Sequence, residues 1–286
     1  MSTKKYAVFT MDVEAFTDTE CISNANACVD VDLLDGFDEY IQLLDKYSIK
    51  STLFTVGSLA PKIADKLSQA IDNGHRLALH NFNHIAPIEQ TIDAFKTEIS
   101  KAKQKLSKLF NTDVIGFRAP FFSMDDKHLE VLSELGFKYD SSYLGFPKAR
   151  HTVKLHLNNF EEKLKGIFHK NDFFEFSISK EKVFGKPYPI SGGGYIRLCN
   201  WNVAKYIIKR HLVKNEYYVF YLHPFELTRQ KIPFVKELKL YDKYYIKAGI
   251  KNYAKHIEEL ILMLKKMNYN FITFEELCDE LSVNTN

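Results

Sequence analysis

Short apolar runs alternate with amphipathic helical segments along most of this chain, and almost every run stops at a polar or ionisable residue. Residues 6–11 are apolar and β-favouring with no helical period, and they end in Asp12-Val13-Glu14. Residues 51–56 form a second such run, closed by Gly57, and Leu77-Ala78-Leu79 runs into His80. Residues 114–117 end in Arg118-Ala119-Pro120, residues 137–139 lead to Asp140-Ser141-Ser142, and residues 217–222 end in His223-Pro224. Helical spacing fills the gaps: Phe37, Tyr40, Ile41 and Leu44 share a face in 35–47, and Ile63, Leu67 and Ile71 do so in 59–73. A long helix is expected over 91–110 and another over 126–135, stopping at Gly136. Strand–helix alternation of this kind implies a parallel sheet or barrel.

The second half keeps the theme less strictly. Residues 151–172 lose the pattern and read as an irregular insertion, centred on 143–172, inside one domain spanning 1–286. A strand resumes at 173–177, and Ser191-Gly192-Gly193-Gly194-Tyr195 either brings two backbones close together or is a flexible turn. Helices are expected over 202–211, 252–267 and 275–281, with a last strand at 271–274. The polar stretch 17–32 reads as a loop over the strand ends.

Composition excludes several classes. The 286 residues are 45% hydrophobic and 26% charged, an ordinary globular balance. A net charge of +3 with scattered lysines gives no argument for nucleic acid. Cys21, Cys28, Cys199 and Cys278 form no CxxC pair and read as reduced thiols. The chain runs from Lys4-Lys5 straight into its first strand, without a signal-peptide apolar region or a membrane-length run. The expected location is the cytoplasm, free or at the inner membrane through a lipid-linked substrate. The 23 Phe and 16 Tyr serve mainly the core, although carbohydrate sites also use aromatic faces.

His80 and His84 stand four residues apart, so a helix after Leu79 would put both imidazoles on one face. With one carboxylate of Asp12-Val13-Glu14 they would make a three-ligand metal site with an open position, the arrangement of a hydrolase. Asp12/Glu14, His80/His84, Arg118, Asp140 and His223 thus stand at the same end of five strands. Active sites of parallel α/β folds collect at that end.

These residues resemble the polysaccharide deacetylase family, carbohydrate esterase family 4, with its NodB-homology domain. The resemblance rests on residues 52–57, on Asn73-Gly74-His75-Arg76-Leu77-Ala78-Leu79-His80, on Gly116-Phe117-Arg118-Ala119-Pro120 and on Tyr221-Leu222-His223-Pro224. Tyr139-Asp140-Ser141-Ser142, residues 191–198 and His223-Pro224-Phe225-Glu226 look like a narrower subgroup associated with exopolysaccharide export loci. The family implies an α/β fold, a distorted (β/α)7 barrel, with a divalent metal, usually Zn2+. Glu14, His80 and His84 would hold the metal, and Asp12 would be the general base. His223 would be the general acid, and Arg118 would orient Asp12 and favour its charged form. The backbone N–H of Phe121 would help bind the oxyanion. Asp140 either tunes His223 or caps its strand as a turn former. Tyr195 and Arg197 either contact substrate or pack around the glycine turn. Asp12-x-Glu14 departs from the adjacent Asp-Asp of most members, so the carboxylate ligand is less firmly assigned than the histidines.

The implied activity is metal-dependent removal of an N-acetyl group from an amino sugar of a polysaccharide or its intracellular precursor. Two alternatives keep the fold: a hydrolase of cyclic amides or ureides, and a catalytically silent glycan-binding barrel. Retention of a paired base and acid argues against the silent barrel.

Overall fold

A computed structural model describes residues 4–27, 29–145 and 155–283. The strands are β1 (Lys5–Val13), β2 (Ser51–Thr55), β3 (Arg76–Leu79), β4 (Gly116–Phe117) and β5 (Tyr139–Asp140). A hairpin of β6 (Glu161–Leu164) and β7 (Ile167–Lys170) precedes β8 (Phe173–Phe176), and the ribbon β9 (Lys180–Val183) and β10 (Lys186–Pro189) follows it. β11 (Tyr217–Leu222) and β12 (Tyr269–Phe271) complete the set. The helices are α1 (Glu20–Asn24), α2 (Asp35–Asp45), α3 (Ala64–Asp72), α4 (Ile92–Phe110) and α5 (Asp126–Glu134). They continue as α6 (Gly193–Arg197), α7 (Trp201–Lys214), α8 (Leu240–Tyr245), α9 (Ile250–Lys266) and α10 (Phe274–Val283).

The main sheet runs β11-β1-β2-β3-β4-β5-β8, all neighbours parallel, before β7 and β6 add antiparallel strands. Seven parallel strands curl into an incomplete barrel within a single α/β domain, the distorted form expected. No regular strand joins β8 to β11 among the described residues; serine hydroxyls bridge the gap. Ser179 N donates to Ser191 Oγ at 2.5 Å, and Val219 N on β11 donates to Ser179 Oγ at 3.0 Å. Gly192 then bridges to Tyr221 in parallel, with φ 135°. A Cβ on Gly192 would lie 1.9 Å from the Tyr221 carbonyl oxygen, so only glycine lets these backbones meet. Of the two readings of the glycine run, close backbone approach is the one observed.

Period-2 alternation sorts β1 between two cores. Phe9, Met11 and Val13 pack outward with α2 and α4, whereas Tyr6 and Val8 join Phe54, Tyr139 and Phe176 inside the barrel. Phe274 plugs the lower end, its ring 4.5 Å from that of Phe176. Thr10, Asp12 and Glu14 continue the inward series. An Asp-x-Glu spacing therefore puts both carboxylates on the same face.

Three expectations need correction. The insertion carries the β6–β7 hairpin, which pairs with β8 and widens the sheet; residues 146–154 within it lie outside the described residues, as does Cys28. The last strand is β12, ending at Phe271, because Thr273 and Glu276 exchange capping bonds that start α10 (Glu276 N to Thr273 Oγ1, 3.3 Å; Thr273 N to Glu276 Oε2, 2.9 Å). The 17–32 loop holds the short helix α1.

Candidate metal and active site

His80 and His84 meet through a loop, not through a helix. Asn81 and His84 adopt left-handed φ of 60° and 57°. The Asn81 side chain supplies the bonds that helical continuation would have made: its Nδ2 donates to Ile85 O at 2.6 Å, and its Oδ1 accepts from Phe82 N at 2.6 Å. Gly57 N and Ser58 N donate to Asn81 O and Phe82 O at 2.9 Å each, tying the loop to the end of β2.

The loop returns His84 to Glu14. Glu14 Oε2 lies 2.7 Å from His84 Nε2 and 3.5 Å from His80 Nε2, and one ligand atom from each residue falls within 4.8 Å of the others. His80 Nδ1 donates to the Arg118 carbonyl at 2.8 Å, which directs the lone pair of Nε2 inward. His84 Nε2 is buried with the Glu14 carboxylate against it. Two imidazole nitrogens and a carboxylate, all buried and converging on one point, fit a divalent cation of the zinc type with an open position. Burial disfavours the Glu14 charge, but His84 and His223 hold its carboxyl well below the usual range.

Arg118 sits fully buried behind this set. Nη1 donates to Asp12 Oδ1 at 2.6 Å and to Thr10 Oγ1 at 2.9 Å, while Nε and Nη2 donate to Ser141 O and Oγ at 3.1 and 3.0 Å. Its guanidinium lies 4.1 Å above the Phe54 ring. Ser142 Oγ accepts from Ala119 N at 2.8 Å and donates to Asp140 Oδ1 at 2.8 Å. The Asp140-Ser141-Ser142 turn therefore brackets the Arg118 loop. Beyond that loop Phe121 and Phe122 both take left-handed φ, 58° and 57°. The Phe121 ring stands edge-on to His84 at 4.8 Å.

Asp140 is not the carboxylate beside His223. It caps its own strand by accepting from Ser142 N (3.1 Å), and burial raises it to about 6. Burial and the neighbouring Asp140 hold Glu175 well above the usual carboxylate range. The partner of His223 is Glu226, three residues on, whose Oε2 lies 3.1 Å from both His223 Nδ1 and His223 N. Of the two readings of Arg197, substrate contact or packing near the glycine turn, the structure shows packing: it is 3% exposed and donates from Nε to Glu226 Oε1 at 2.7 Å and from Nη1 to the Tyr245 carbonyl at 2.8 Å. Burial alone would lower the His223 pKa; Glu14 and then Glu226 push it up to about 9. His223 Nε2 faces the cavity 3.9 Å from Glu14 Oε1. The sequence signal for Glu226 was the His-Pro-x-Glu spacing, in which the fourth residue folds back to cap the first.

Asp12, Glu14, His80, Phe121, His223 and Tyr195 line one cavity of 720 Å³. Tyr188, Tyr241 and Tyr245 also line it. The arrangement sets three candidate metal ligands, a carboxylate pinned by an arginine, and an imidazole of raised pKa around one space.

Residues 27–139 match the family described as polysaccharide deacetylase, and residues 141–279 match a domain of unknown function, DUF3473. The two meet at Asp140, inside one sheet. A peptidoglycan deacetylase from Helicobacter pylori is 26% identical over 109 residues, 38% of this chain and 37% of its own length. The chain spans about a third of the length of the curated relatives it matches. Among solved structures, a protein from Mycobacterium smegmatis assigned to the polysaccharide deacetylases superposes with TM-score 0.66 at 14% identity, covering 100% of this chain and 93% of that one. A CE4 family pseudoenzyme from Bacillus anthracis gives 0.55 at 13%, covering 98% and 67%. Residues 27–139 thus carry the match to the polysaccharide deacetylases, continued over residues 141–279 by a DUF3473 segment.

Proposed function

We propose that this protein hydrolyses the N-acetyl group of an amino sugar in a polysaccharide or its precursor, using a divalent metal, with zinc the best match to the donor set. The convergence of buried Glu14, His80 and His84, with one ligand atom from each within 4.8 Å of the others, carries the reading. Glu14, His80 and His84 would hold the metal, which would supply Lewis acidity at the acetamide carbonyl. Asp12, fixed by Arg118, takes a proton from the attacking water as its oxygen adds to the carbonyl carbon. His223, protonated beside Glu226, gives its proton to the leaving nitrogen as the C–N bond breaks. The products are acetate and the free amine. The Phe121 backbone N–H is assigned to the developing oxyanion, and Tyr195 to the wall that receives the sugar. An exopolysaccharide under assembly suits the subgroup motifs at 139–142, 191–198 and 223–226. Acetate release from N-acetylated oligosaccharides by metal-loaded protein tests the reading; an inactive wild type with a full metal complement would place the chain among the silent members.

A further inference from the structure

The segment between the end of β11 and α9 presents an amphipathic outer face beside the cavity mouth. Ile232, Val235, Leu238 and Ile246 point inward and pack with Phe16, Ile22 and Phe225 in a separate core cluster, which holds the segment in place. The intervening side chains point out: Phe234 is 74% exposed, Leu240 86%, Tyr241 69% and Tyr244 62%. Around them stand Lys231, Lys236, Lys239, Lys243 and Lys247, joined by Lys251 at the start of α9, against Glu237 and Asp242. Residues 231–251 thus carry a net +4, against +3 for the whole chain. Lys243 Nζ lies 4.8 Å over the Phe234 ring, so cation and apolar surface form one patch. Leu238, Lys239 and Tyr241 also line the cavity, which makes patch and site continuous.

We propose that this face docks on an anionic phospholipid surface, with Phe234 and Leu240 entering the interface and the lysines meeting the headgroups. Exposed apolar side chains ringed by lysine suit that environment. Phe234 and Leu240 have nothing to offer a phosphodiester backbone. A two-fold pair of copies would set lysine against lysine. A neutral N-acetylated glycan would use the tyrosines but leave the lysines unmatched. The proposal goes beyond the deacetylase reading, since membrane binding needs no turnover.

The test is co-sedimentation of the full chain with phosphatidylcholine vesicles, with and without phosphatidylglycerol. Binding is expected only with phosphatidylglycerol and should weaken with salt. Lys236→Gln with Lys247→Gln should weaken it about fivefold per lysine, and Phe234→Ser with Leu240→Ser should weaken it at every salt concentration. Both pairs should keep wild-type hydrolysis of a soluble N-acetylated oligosaccharide and an unchanged thermal transition. No binding to the anionic vesicles, or binding indifferent to both pairs, overturns the proposal. So does a serine pair that instead converts a dimer to a monomer, or that loses binding to an insoluble N-acetylated polymer while vesicles never bind.

Discussion

The Glu226 carboxylate spans His223 and Arg197, with Oε2 3.1 Å from His223 Nδ1 and Oε1 accepting a 2.7 Å bond from Arg197 Nε. One buried anion thus orients the imidazole and is itself fixed by a buried cation. Glu226→Gln keeps the shape and removes the charge, so kcat should fall by about tenfold or more with KM little changed. Arg197→Met strands the Glu226 charge and should cost about 3–5 kcal/mol of stability. Steady-state kinetics beside thermal denaturation separate the two effects; unchanged kcat in Glu226→Gln would remove Glu226 from the mechanism.

Metal content is the most direct check on the histidine loop. Wild type purified without chelator should hold about one divalent ion per chain, and His80→Ala with His84→Ala should hold none. Equal metal in both, by elemental analysis, rejects the site.

Asp12 and Glu14 should part company. Asp12→Asn should retain metal and lose about a hundredfold or more in kcat, whereas Glu14→Ala should lose the metal itself. The opposite pattern would exchange the two roles.

The Asp140–Glu175 pair predicts a pH dependence of stability. Burial raises Asp140 to about 6 in the folded state against the lowering effect of its bond to Glu175, and burial and then Asp140 raise Glu175 well above its usual range. The unfolded chain releases both protons near pH 4. The folded state binds more protons above that point, so stability is full below about pH 4 and is lost as pH rises through the folded values. Glu175→Gln keeps a donor toward Asp140 without the titration. Its melting temperature should fall less than that of wild type between pH 5 and 8; parallel curves in differential scanning calorimetry would refute the pairing.

Much of the architecture was readable because each strand is a short apolar run halted by chemistry, and burial within a barrel leaves few other ways to use such a run. The carboxylate, both histidines, Arg118 and His223 could be placed at strand ends for the same reason. Less readable was anything set by side chains bonding to backbone. Asn81 replaces a helix by a loop while bringing the same two histidines together, and spacing alone does not register that substitution. Arg197 and Asp140 carry charge and so read as chemistry, yet both are buried in supporting bonds. Glu226 went unassigned because it follows the motif histidine within a turn and not at a strand end. The β6–β7 hairpin is short and mostly polar, which gives period-2 reading little to register.

The serine between Asp140 and the Arg118 loop has a meaning for descent. Phe121 and Phe122 hold backbone angles that cost about 1–3 kcal/mol each, and the 2.8 Å bond from Ala119 N to Ser142 Oγ anchors the loop at the residue before Pro120. A descendant that lost only this hydroxyl would keep every metal ligand, base and acid, and the loop could still relax away from the reacting carbonyl. Its silence would then be invisible to anyone checking the reacting groups alone. Reading position 142 beside positions 12, 14, 80, 84 and 223 would separate relatives that keep this loop anchored from those that do not.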